Sequence, residues 1–228
     1  MAAKKTMATK DLMDFENVVG FNEKLKASFE ENARQIIATA LLICLLAGAV
    51  AYWVVSSRTS AQAAQNILNQ ALSTMSAPAQ TEAEQTAALS TAIAALSHAI
   101  ESYGSTSAGQ AALFYRAQCR SRQKDYNEAI TDYMNFLECS GSMVDQLQPF
   151  ALENIGYAHE AQGNSEEALN WYEKAVQAGR DAARIGIARM HEAAGSEELA
   201  CEQYQKYLAN ENTGNREFVE MKVGDVCR

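Results

Sequence analysis

Three histidines, five cysteines and the pairs Glu166-Glu167 and Glu197-Glu198 are the residues of this chain best equipped for chemistry. A metal would need three or four of them to converge, and a nucleophile would need a base with its own orienting partner. His98, His159 and His191 are scattered, no cysteines form a Cys-x-x-Cys pair, and each glutamate pair opens a predicted helix, where carboxylates complement the helix dipole. His-Glu-x-x-His, Gly-x-Ser-x-Gly, phosphate-loop and dinucleotide patterns are absent from the sequence. The expectation is a protein with no catalytic residue, no metal and no cofactor, whose chemistry is recognition.

Charge narrows the partner. Residues 1–35 balance six basic against six acidic side chains, while residues 58–228 hold 13 against 22 and carry the whole net charge of −9. An acidic surface disfavours phosphate backbones, so nucleic acid is not an expected partner.

Between Arg34 and Arg58 lie twenty consecutive uncharged residues, Ile36 to Val55. As a helix they reach about 30 Å, the thickness of a bilayer's hydrocarbon core. Tyr52 and Trp53 stand near the downstream end, where amphipathic rings favour headgroups. The expectation is a transmembrane helix over 36–55. The competing readings are a cleaved signal at Ala61-Gln62-Ala63, which falls beyond the basic Arg58, a lipoprotein signal at Cys44, which lacks small residues before it, and a buried core helix. Lys24, Lys26 and Arg34 precede the span, and Arg58 is the only basic residue after it before Arg116, which puts the N-terminus in the cytoplasm. Ala40, Cys44 and Gly48 recur every four residues and make a candidate helix-packing stripe within the membrane. Phe15, Val18, Leu25 and Phe29 hint at an amphipathic helix upstream.

The remainder reads as helix. Leu89, Ile93, Leu96, Ile100 and Tyr103 follow helical spacing, with Thr81 and Glu84 as a capping box at the start and Gly104 at the end. Ala64, Ile67, Leu68, Ala71, Leu72 and Met75 mark a preceding helix, and the two should pair across Ala77-Pro78. Residues 108–138, 147–177 and 179–209 then repeat one another, with Ala129, Ala168 and Ala200 aligned at separations of 39 and 32. Leu152, Ile155, Gly156, Gly163, Ala168, Tyr172 and Ala175 in the middle copy, and Ile187, Ala188, Gly195, Ala200 and Tyr204 in the third, resemble the tetratricopeptide repeat. The first copy departs from it by placing Arg116 and Arg120 at two inward positions. A closing helix, Asn215 to Val226, should cap the last repeat. The fold expected is all-α, a transmembrane helix followed by a short right-handed tetratricopeptide-like solenoid; an irregular helical bundle is the alternative.

That resemblance implies a polypeptide held along the first helices of the repeats. The motif's exposed places fall at Phe114, Gln118, Phe150, Glu153, Tyr157, Ile185 and Arg189. His159 and His191 take equivalent places usually filled by an aromatic, and read as packing residues. A clamp for a C-terminal carboxylate would match at Asn154, but Ala182 and Gly186 stand where it needs basic residues.

In layout, with Tyr52-Trp53 leaving the span, Ser102 to Ala117 leading into the repeats and Glu217 to Val226 closing them, the chain resembles a family of single-span bacterial inner-membrane proteins that includes the ancillary subunit of the SecYEG translocon. The resemblance implies a cytoplasmic segment (1–35), the span (36–55), a stalk and first hairpin (56–107) and periplasmic repeats with a capping helix (108–228). It implies protein partners, such as the translocon, a periplasmic chaperone or secreted clients, and no small-molecule substrate. The alternative is a structural subunit of a stable envelope complex for secretion or division.

On the oxidising side, disulfides are permitted among Cys119, Cys139, Cys201 and Cys227. A closing helix antiparallel to the second helix of the third repeat would bring Cys227 beside Cys201; four free thiols is the other state open to the sequence.

Overall fold

The computed structural model describes the backbone of residues 9–210 and 214–228, with side chains from residue 32 onward. The described residues form helices and turns, as the all-α expectation requires. The chain divides into two compact units, Met1–Ser57 and Arg58–Arg228. Phe15, Val18, Leu25, Phe29, Lys24 and Lys26 lie outside the residues whose side chains are described.

The first unit contains most of helix α1 (Thr9–Ser76), which leaves helical φ/ψ at Asn32. Among the described residues, this one helix is long and apolar enough to cross a membrane. Within the first unit, Ile37, Leu41, Leu45 and Trp53 are 59%, 61%, 72% and 69% exposed. Ala40, Cys44 and Gly48 are likewise exposed, and a Cβ added at Gly48 would meet nothing within 4 Å.

In the second unit, Ala64, Leu68 and Ala71 of α1 pack against Leu89, Ala92, Leu96 and Ala99 of α2 (Glu82–Tyr103). The capping box is present: the Glu84 amide donates to Thr81 Oγ1 at 3.2 Å, and the Thr81 amide donates to the Glu84 carboxylate at 3.3 Å. Three hairpins follow, α3 (Ser107–Arg122) with α4 (Tyr126–Leu137), α5 (Ser142–Ala161) with α6 (Ser165–Gln177), and α7 (Ala183–Ala193) with α8 (Glu197–Leu208). α9 (Arg216–Val226) closes the unit. From α2 onward each helix packs on the next, and α5 also touches α3 and α7, which is the connectivity of an α-solenoid.

Ala129, Ala168 and Ala200, the three residues that align the repeats, are all 0% exposed. The separation of 39 between the first two is absorbed by α5, which starts early at Ser142 and runs through Pro149. Proline lacks an N–H, so the helix gives up one backbone bond there. All three hairpins turn through a left-handed residue at the same place: Lys124 (φ 68°), Gly163 (φ 78°) and Gly195 (φ 72°).

Candidate functional site

Four residues after each aligned alanine, the second helix of the hairpin contributes a large ring to the core, Tyr133, Tyr172 or Tyr204, each no more than 2% exposed. Tyr172 shows why small residues sit opposite. A Cβ added at Gly156 would lie 2.8 Å from its ring, and one at Gly186 would lie 2.6 Å away on the next repeat, so two glycines clasp one aromatic ring. Gly186, an obstacle to a carboxylate clamp, is thus a packing residue between repeats.

The ring hydroxyls serve a second, repeated purpose. Tyr172 donates to Glu160, which Arg189 of the next repeat grips through Nε at 2.8 Å and Nη2 at 2.7 Å. One repeat on, Tyr204 donates to Glu192 at 2.9 Å, and Lys222 of α9 donates to the same carboxylate at 2.8 Å. A carboxylate at the end of a first helix is therefore tied to its own second helix and to the next element along. Burial opposes the charge on Glu160, but the hydrogen bonds from Arg189 and Tyr172 prevail and hold its pKa below the usual carboxylate value. Burial first, and then hydrogen bonding to Glu160, pushes the Tyr172 phenol above its usual range.

Two cavities open along the first helices. One, of 300 Å³, is lined by Glu153, Asn154, Tyr157, Arg180, Ala182, Gly186 and Asn215, among others. The other, of 270 Å³, is lined by Gln118, Ser121, Arg122, Tyr133, Asn154 and Tyr157. Asn154 and Tyr157 border both, and Tyr157 is 49% exposed. Beside them Phe150, 40% exposed, lies under the Arg180 guanidinium at 4.4 Å, and Arg180 pairs with Glu153 at 2.6 Å.

Of the seven residues expected on this face, Gln118, Glu153 and Tyr157 line the cavities and Phe150 stands exposed next to them. Phe114 and Ile185 need correction, whereas Arg189 is on the cavity as expected but already paired. Phe114 is 3% exposed, because it faces α4 and stacks edge-on against Tyr133 at 5.6 Å. Ile185 is 7% exposed, because α9 closes over the last repeat and Ile185 joins Tyr204, Tyr207 and Val219 in the core; only an edge of it reaches the 300 Å³ cavity. Arg189 borders that cavity with its guanidinium committed to Glu160.

Sequence reasoning missed Arg180 and Asn215. Arg180 lies in the turn after α6 and Asn215 at the start of α9, beyond the first-helix positions that the motif scores. Cys201 and Cys227 form a disulfide, with S–S 1.99 Å and Cα atoms 5.2 Å apart. Cys119 and Cys139 are free, and burial pushes the Cys119 thiol up to about 11. Among the described residues no three of His, Cys, Asp and Glu group as metal ligands.

Residues 149–181 match the tetratricopeptide repeat. The chain is similar to the crystal structure of MamA at 14% identity and TM-score 0.47, over 66% of this chain and 95% of that one. It is similar also to the Podosopora anserina putative kinesin light chain with nearly identical tetratricopeptide-like repeats, at 14% identity and TM-score 0.48, over 74% of this chain and 84% of that one. No curated protein matches.

Proposed function

We propose that this chain is an adaptor anchored in a bacterial inner membrane, offering the face of α3, α5 and α7 to polypeptides on the extracytoplasmic side, near the Sec translocon or a periplasmic chaperone. One observation carries the reading. Within the matched repeat, an aromatic side chain, Tyr157, stands half exposed and, with Asn154, lines both of two cavities. Aromatic anchors of this sort, flanked by amide and charged groups such as Asn154, Glu153 and Arg180, suit a peptide better than a small metabolite.

Anchoring is supported by the uncovered apolar surface from Ile37 to Val55, whose exposure to water would be unfavourable along its whole length. The basic residues before the span, and their scarcity after it, support a cytoplasmic N-terminus. The resemblance in layout to the translocon's ancillary subunit supports the choice of partner. A topology reporter fused after Arg228 should be active only outside the cytoplasm; activity inside would overturn the orientation.

A further inference from the structure

α9 is lightly held for a helix that closes a solenoid. Val219 is its one fully buried residue; Val223 and Val226 are half-buried, and Phe218 and Met221 are 43% and 57% exposed. Its N-cap, Asn215, makes no side-chain capping bond. A helix of 11 residues is marginal by itself in water, so α9 depends on what it is fastened to.

Among the described residues its fastenings run to α8 and to the end of α7. At the start, Arg216 Nη1 donates to the Leu208 carbonyl at 3.2 Å and the Asn215 amide donates to the Tyr207 hydroxyl at 3.3 Å. Midway, Lys222 reaches Glu192 at 2.8 Å. At the end is the Cys201–Cys227 disulfide, with both cysteines half-buried and so within reach of a thiolate. The start of α9 is also part of the groove, since Asn215 lines the cavity that Tyr157 borders, and the helix covers Ile185 at the cavity's edge.

We propose that the Cys201–Cys227 disulfide is a redox latch on this groove. Closed, it seats α9, which supplies the Asn215 wall and covers Ile185, Tyr204 and Tyr207. Reduced, it lets α9 come away, removing that wall and opening the apolar end of the third repeat. The reductant is a dithiol of the thioredoxin class. Its thiolate attacks one sulfur of the bridge to give a mixed disulfide, and its second thiol then displaces the chain. Two electrons and two protons pass to Cys201 and Cys227, and the dithiol becomes a disulfide. The latch rests on the groove reading for its purpose, not for its chemistry.

Hydrogen exchange read by mass spectrometry on the full chain in detergent tests it, with oxidised protein, protein reduced by dithiothreitol, and Cys227→Ser. Reduction should speed exchange of the Arg216–Val226 amides by about 400-fold, the effect expected for opening a loop of this length, while α3 to α6 stay protected, and Cys227→Ser should match reduced wild type. Unchanged protection in α9 would overturn the proposal. So would an equal loss from α3 to α8, which would make the bridge a staple of the whole solenoid. Release of α9 in a protein whose Tyr157 contacts no polypeptide would leave the latch standing and remove the groove, so the two readings fail separately.

Discussion

Arg116 donates two hydrogen bonds to Asp132, Nε at 2.8 Å and Nη2 at 2.6 Å, and the carboxylate that receives them is 1% exposed. Arg120 reaches the same carboxylate at 2.9 Å, and Arg116 Nη1 also donates to Ser97 of α2 at 3.0 Å. The two arginines that break the apolar pattern of the first repeat are thus inward-facing after all. One buried aspartate answers them both, and the cluster ties α2, α3 and α4 together.

Removing one partner from such a cluster strands buried charge, whereas replacing the cluster by apolar side chains is often tolerated. Asp132→Leu should therefore destabilise the domain by about 3–5 kcal/mol. Adding Arg116→Ile and Arg120→Leu to it should recover much of that loss. Urea denaturation of the single and triple variants measures the coupling; additive losses would show that the three residues act independently.

At the clasp around Tyr172, two effects of opposite sign compete. Alanine is the better helix former by about 1 kcal/mol, but a Cβ at Gly186 would sit 2.6 Å from the ring. Overpacking of a core by a methyl costs about 1–3 kcal/mol, so Gly186→Ala should lower the melting temperature. A rise would mean that the repeats slide apart at no cost.

Lys124 holds a left-handed turn that the other repeats assign to glycine. Relief of that conformation, less the extra freedom of glycine in the unfolded chain, leaves a gain of about 0.5–1 kcal/mol for Lys124→Gly. Thermal unfolding should shift upward by about 2–4 °C.

The all-α fold was legible in the sequence because it rests on features with a strict period or length: the long uncharged run as helix, the capping box at Thr81 and Glu84, and the aligned alanines. The site was legible only in part. Gln118, Glu153 and Tyr157 follow from the position of first-helix residues relative to the turn. Burial of Phe114 and Ile185 depends on what packs over them, α4 in one case and α9 in the other, and neither contact has a local signal. The answer of Asp132 to Arg116 and Arg120 was equally hidden, since the apolar pattern marks the two arginines as departures and says nothing of an aspartate on the facing helix.

Stability should fall toward both ends of the pH scale, for separate reasons. Glu160 has a lowered folded pKa, so its contribution is present above the ordinary value of 4.5 and is lost as pH falls through the folded one. Tyr133, Tyr172 and Tyr204 have raised folded values, chiefly through burial, so their contribution is present below about 10 and is lost as pH climbs above it. Denaturation midpoints against pH should show both declines, and Glu160→Gln should flatten the acidic one and, by removing a charge that helps raise Tyr172 and Tyr204, soften the alkaline one.

The central claim is that the face around Tyr157 receives a polypeptide. A photo-activated crosslinking amino acid at position 157 of the chain tests it most directly, with one at exposed Asn170 on α6 as the control. Irradiation in living cells should give a discrete polypeptide adduct from 157 and none from 170. Absence of an adduct from 157, or the same adducts from both positions, would contradict the account.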